Sequence, residues 1–121
     1  MVKRVMTVDD SKTMRDMVAF TLRSAGFQVT SAEDGKQAIG MLATHPVDVV
    51  ITDLNMPVMD GIALIRALRA DPKWRALPIL MLTTEGDSTK KAEGRSAGAT
   101  GWIVKPFNPE KLVEVVNRVC G

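Results

Sequence analysis

The sequence predicts an α/β fold: a doubly wound, five-stranded parallel sheet in the order 2-1-3-4-5, covered on both faces by helices as a (βα)5 three-layer sandwich. Three observations predict it. Five extended apolar segments alternate with five helical patterns along 121 residues, the sign of successive strand-helix units. Two of those segments, residues 47–51 and 78–82, are almost unbroken apolar runs, as in strands buried on both faces. The segment at 27–31 is weaker and suits an edge, and right-handed crossovers leave few other arrangements.

Each element has a local reason. Residues 2–8 form a short strand with Val5, Met6 and Val8 apolar, ending at Asp9-Asp10-Ser11. Asp10 or Ser11 can cap the helix that follows, since a side-chain oxygen there accepts the orphan N–H groups of the first turn. Met14, Met17, Val18, Thr21 and Leu22 lie at i, i+3, i+4, i+7 and i+8, one continuous face, and Gly26 ends the helix in a left-handed turn. After the edge strand at 27–31, Asp34-Gly35 turns the chain into a helix over 37–43 that buries Ala38, Ile39 and Leu42. The β-branched run 47–51 delivers Asp53 to its own end, and Pro57, with no N–H, forces a loop. Met59-Asp60-Gly61 turns into a helix burying Ile62, Ile65 and Leu68, which Asp71-Pro72 closes. The strand at 78–82 ends at Thr83-Thr84-Glu85. A helix over 88–97 has only alanines as apolar residues and carries Gly94, which costs about 1 kcal/mol relative to Ala. The last strand, 101–104, ends at Lys105-Pro106. Pro109 then stands at a first helical position, where its missing N–H is harmless, and Leu112, Val115, Val116 and Val119 form the final helical face.

The length suits one domain, residues 1–121, and the composition, 45% hydrophobic and 25% charged, is ordinary for a globular chain. A net charge of +2 is too slight to make nucleic acid the main partner. Residues 1–60 hold six bases and eight acids, whereas residues 61–121 hold ten bases and six acids, so the cationic half is the C-terminal one. No apolar run reaches bilayer length and no leader pattern opens the chain, which predicts a cytoplasmic protein without a membrane partner. One cysteine, Cys120, permits neither an internal disulfide nor a cysteine metal site.

In such sheets ligands bind outside the carboxyl ends of the strands, where the winding reverses between strands 1 and 3. Asp9 and Asp10, Asp53, Thr83 and Lys105 all end strands at that rim. Carboxylates packed together disfavour ionisation unless a cation joins them. Lys105 supplies one charge, and an oxygen-lined cup with few protein ligands suits Mg²⁺, which keeps waters and shares phosphate oxygens. Zinc suits the set poorly, because no His or Cys lies in it. The constellation predicts a Mg²⁺ and phosphoryl site in which a carboxylate is itself the nucleophile.

These residues, with Asn55-Met56-Pro57 and Met59-Asp60-Gly61 between them, resemble the receiver domain of bacterial two-component response regulators, over the whole chain. The likeness is greatest to the stand-alone, CheY-like chemotaxis regulators, themselves examples of the flavodoxin-like 2-1-3-4-5 order. The resemblance implies that Asp53 accepts a phosphoryl group from a sensor histidine kinase, and that Asp10, Asp53 and the backbone carbonyl of Asn55 hold Mg²⁺, with Asp9 acting through water. It implies that Lys105 and Thr83 bind the phosphoryl oxygens, that Asn55, Glu85 and Thr84 tune its lifetime, and that the bond before Pro106 is cis. Thr83 would couple to the aromatic at Trp102 and so switch the face of helix 4, strand 5 and helix 5, beside Lys90, Lys91 and Arg95. The family usually has Tyr or Phe where Trp102 stands. Inward switching of the larger indole and a partly buried anchor with a satisfied N–H both remain open. Thr84 is bulkier than the family's usual residue.

The implied protein is a monomer that binds a flagellar motor switch protein or another phosphorylation-dependent target. It is no enzyme beyond its own phosphorylation and dephosphorylation. A phosphate sink and a phosphorelay intermediate are the alternatives within the class. A flavodoxin-like FMN carrier would need a phosphate loop where Asp9-Asp10 stands, and an aspartyl-phosphate hydrolase a second acid where Asn55 stands. His45 is expected at the surface, Cys120 as a terminal free thiol, the methionines as core filler and Trp74 over a small satellite cluster.

Overall fold

The computed structural model describes residues 2–84 and 88–120. Along them run β1 (Arg4–Val8), α1 (Lys12–Ser24), β2 (Gln28–Ala32), α2 (Gly35–Leu42), β3 (Val49–Asp53), α3 (Gly61–Ala70), β4 (Ile79–Thr84), α4 (Ser88–Ala97), β5 (Gly101–Lys105) and α5 (Pro109–Cys120). The five strands form one parallel sheet in the order β2-β1-β3-β4-β5. β3 is buried throughout and β4 at every position but its last, while β2 and β5 are the partly exposed edges.

The two-residue period of a strand divides the core into two layers. Met6, Val8, Val50, Ile79 and Met81 pack with Ala38, Leu42, Ile62, Ile65 and Leu68 of α2 and α3. Val5, Val49, Ile51, Leu80 and Leu82 point the other way, onto Val18 and Leu22 of α1 and Leu112 and Val116 of α5. Trp74 lies against the first of these layers, so it covers the main core and not a satellite.

Caps place the helix starts. Ser11 accepts from the Met14 N–H, Asp34 from Gln37 and Asp60 from Ala63, while Asn108 accepts from Glu110 and Lys111. The Asp34 cap explains why α2 begins at Gly35, two residues before the predicted start. Pro78, which lacks an N–H, stands outside β4, although its carbonyl accepts from Val50. The predicted apolar face of α1 needs one correction: Val18, Ala19 and Leu22 are buried, but Met17 is 51% exposed. α1 is rotated so that the i, i+4 line of Val18 and Leu22 meets the sheet, with small Ala19 beside it, which turns Met17 outward.

At the amino ends of the strands, opposite the predicted site, Arg69 ties three segments together. Its guanidinium donates to the carbonyls of Gly98 (2.9 Å), Trp74 (3.0 Å), Arg75 (3.1 Å) and Leu77 (2.6 Å). Burial lowers its pKa. We expect Arg69→Met to lower stability by about 2 kcal/mol, since it leaves several partly buried carbonyls unpaired; a shift in the urea midpoint at unchanged slope would measure this.

Candidate functional site

The carboxyl ends of β1 and β3 bring Asp9, Asp10 and Asp53 together, with one carboxylate oxygen from each within 4.8 Å of the others. Asp9 is 2% exposed, Asp53 is buried, and Asp10 faces solvent. Lys105, at the end of β5, places Nζ 3.1 Å from Asp53 Oδ1 and 4.0 Å from Asp9 Oδ2. Asp53 Oδ1 also accepts from its neighbour's N–H, that of Leu54, at 2.8 Å. Two donors therefore fix one oxygen of the carboxylate.

Asp9 is the electrostatically costly member. Its Oδ1 accepts from the Ser11 N–H at 2.9 Å, but buried Oδ2 has no hydrogen-bond partner among the described residues. Burial pushes the Asp9 carboxyl above its ordinary value of 3.8, the Ser11 bond opposes this, and then Asp53 raises, Lys105 lowers and Asp10 raises it further. An orphaned buried oxygen beside two further carboxylates, with one ammonium among three negative charges, is a donor set fitted to a hard divalent cation.

Beside Asp53 lies a small cavity of about 90 Å³, lined by Asn55, Thr83, Thr84 and Lys105 as well as Asp53. Thr83 is buried, and its hydroxyl donates to the Thr84 carbonyl at 3.5 Å. The Lys105-Pro106 bond is cis, as expected. Glu85 lies outside the described residues. Trp102 is partly buried at the edge of the core, with the Arg95 guanidinium 4.8 Å and Lys91 Nζ 5.6 Å from its ring centroid, so two α4 cations flank the aromatic. Among the remaining residues, His45 is exposed and bonded to Thr44. Cys120 is half-buried, and burial raises its pKa.

Two supports of the site were not anticipated. Arg15 donates to the Asp9 carbonyl at 2.7 Å, with its side chain 13% exposed; a long cation six residues after the acid, in the first turn of a capped helix, was the available signal. Gly61 is the other. Its N–H donates to the Leu54 carbonyl at 3.0 Å, and a Cβ there would overlap the Asp53 carbonyl, so α3 begins directly against the carboxyl end of β3.

The loop between them is strained. Val58 has φ 70° and is 78% exposed, in a tight turn closed by Met59 N–H to the Pro57 carbonyl at 2.7 Å. A β-branched residue is a costly occupant of positive φ. Val58→Gly should therefore raise stability by about 1 kcal/mol, read as a higher denaturation midpoint.

Residues 5–117 match the response regulator receiver domain family. The chain is 41% identical over 117 residues to the chemotaxis protein CheY of Pseudomonas aeruginosa, covering 96% of this chain and 94% of that one. It is 41% identical over 120 residues to chemotaxis protein CheY1 of Helicobacter pylori, covering 98% and 97%. The structure of the chemotaxis response regulator CheY4 of Vibrio cholerae superposes with a TM-score of 0.91 at 47% identity, covering 98% of this chain and 99% of that one. With the sheet order, the acidic rim and these matches in agreement, the chain belongs to the response regulator receiver domain family.

Proposed function

We propose that Asp53 accepts a phosphoryl group from a sensor histidine kinase, and that the phosphorylated protein then engages a target in chemotaxis signalling. The observation that carries this is the placement of Asp9 and Asp10 around Asp53, with Lys105 at 3.1 Å from it and a cavity at its side. Asp53 Oδ1 is occupied by Lys105 and the Leu54 N–H, so Oδ2 is the attacking oxygen. The new bond is P–O and the broken one is P–N of the phosphohistidine, whose nitrogen leaves with the electron pair. Phosphoryl transfer needs positioning and charge neutralisation more than covalent assistance. Lys105 supplies a fixed positive charge, and Thr83, Asn55 and Thr84 wall the space the phosphoryl oxygens would enter. Mg²⁺, held by Asp10, Asp53 and the Asn55 carbonyl with Asp9 behind water, would supply the remaining neutralisation. Asn55, Thr84 and Glu85 then set how long the aspartyl phosphate lasts.

The output is the face of α4, β5 and α5. Its relatives are named as chemotaxis proteins, which supports a cytoplasmic protein whose target is the flagellar motor switch or an equivalent. No helix among the described residues is long and apolar enough to cross a membrane. The FMN reading fails on charge, since Asp9 and Asp10 stand where a flavin phosphate would sit. Asp53→Asn should abolish labelling by acetyl phosphate in Mg²⁺, while Lys105→Met should retain slow labelling but lose the backbone shifts of residues 88–105. Undiminished labelling of Asp53→Asn would refute the acceptor assignment.

A further inference from the structure

Beyond that reading, α1 carries a feature the site does not use. Phe20 is 74% exposed, the most exposed aromatic among the described residues, and Met17 beside it is 51% exposed. Phe20 forms a crest between two hollows. One, of about 540 Å³, is lined with Phe20 by Asp16, Arg23 and Ser24. The other, of about 470 Å³, runs from Phe20 to Pro109 and Val113 at the start of α5 and is walled mainly by apolar atoms. A knob and a hollow adjacent on one surface are what an isologous two-fold contact requires, because each copy can place its knob in the other's hollow.

The charges on the stripe agree with that symmetry. Asp16 stands one turn before Phe20 and Arg23 almost one turn after it, and both line the same hollow. Asp16 accepts from Lys12 of its own helix at 2.8 Å and Arg23 donates to the Val29 carbonyl at 3.1 Å, both at the surface. Antiparallel pairing of two α1 helices about Phe20 adds to these a contact of Asp16 of each copy with Arg23 of the other. Two cross-copy ion pairs then flank one aromatic contact. Parallel pairing would instead face like charges.

We propose that this face of α1 is a self-association surface, whose occupant is a second copy of this chain bound antiparallel through Phe20. Burial of Phe20 and Met17 with a few flanking residues makes a small interface, in the range of weak, transient contacts. The monomer expected from the sequence is then the dilute form.

Sedimentation equilibrium of the 121-residue chain, from micromolar to millimolar concentration, tests this. The weight-average mass should climb from 13.2 kDa toward twice that value. Phe20→Asp should hold the protein monomeric with an unchanged circular dichroism spectrum. Asp16→Arg and Arg23→Asp should each weaken association at least threefold, and the double variant should restore it, because the swapped charges again oppose. A wild-type chain that stays monomeric at millimolar concentration overturns the proposal, as does association indifferent to Phe20→Asp. Failure of the double swap to restore association overturns the antiparallel register. Loss of acetyl phosphate labelling has no bearing on any of these readouts, so the surface and the acceptor site fail separately. A monomeric chain whose phosphodonor binds more weakly to Phe20→Asp would assign the knob to that donor instead.

Discussion

Gly61→Ala should lower the unfolding free energy by about 2–3 kcal/mol and also depress phosphoryl uptake, although residue 61 touches no substrate. The methyl group would overlap the Asp53 carbonyl oxygen and stand 2.9 Å from the Leu54 Cα. Both are backbone atoms at the carboxyl end of β3, with no rotamer to relieve the clash. Either α3 backs away, opening the core layer formed by Ile62, Leu64 and Ile65, or Asp53 shifts relative to Lys105. Urea denaturation monitored by far-UV circular dichroism measures the first cost, and the initial rate of acetyl phosphate labelling the second. Wild-type values for both would mean that α3 does not support the acceptor strand in this way.

Asp9→Asn should act in the opposite sense on stability. In chelator-treated protein at pH 7 the variant should be more stable than wild type by about 1–2 kcal/mol, since it removes a carboxylate with a buried, unpaired oxygen. The sign follows from linkage. Folding raises the Asp9 pKa above its ordinary value of 3.8, so the native state binds more protons than the unfolded chain in that interval. The stability this contributes is complete below 3.8 and is lost as pH rises through the native value. The advantage of the variant should therefore vanish at the acid end and grow toward neutrality. Adding Mg²⁺ should reverse the order: at a concentration 100-fold above its dissociation constant the wild type should gain about 2.7 kcal/mol, and the variant much less. Thermal melts at several pH values, with and without Mg²⁺, give the whole comparison; parallel curves for the two proteins would remove Asp9 from the metal site.

The unbroken strands were the most legible part of the sequence. A run such as Val49-Val50-Ile51 has one stable placement, in the sheet's interior, and the end of that run fixed the rim on which Asp53 sits. Asp9, Thr83 and Lys105 followed from the topology, because parallel strands deliver all their carboxyl ends to one edge. Helix orientation was less legible. α1 has apolar residues on more than half its circumference, so periodicity alone could not separate buried Ala19 from exposed Met17. The starts of α2 and β4 differ by two residues and one from the expected ones because the Asp34 cap and Pro78 decide those boundaries, while β1 and β3 each start two residues later than expected and α5 starts at Pro109 as expected. The support from Gly61 lay beyond pattern reading, since close approach of two backbones leaves no mark in hydrophobicity. Lys91 and Arg95 are expected beside the face that holds Trp102, but their placement over its ring follows only from the α4-β5 packing.

The Arg69 guanidinium holds the far end of α4 through Gly98, on the side of the sheet away from Asp53. A helix of ten residues is about 15 Å long. Fastened at one end, it acts as a lever: a rotation of about 5° about Gly98 carries the Ser88 end through roughly 1 Å over that length. If Asp53 is phosphorylated as proposed, a displacement near Thr83 smaller than a bond length would become a tilt of Lys91 and Arg95 across the Trp102 ring. The fulcrum lies at the opposite end of the sheet from Asp53, so under the proposed function the size of the output stroke and the rate of the input reaction would vary independently.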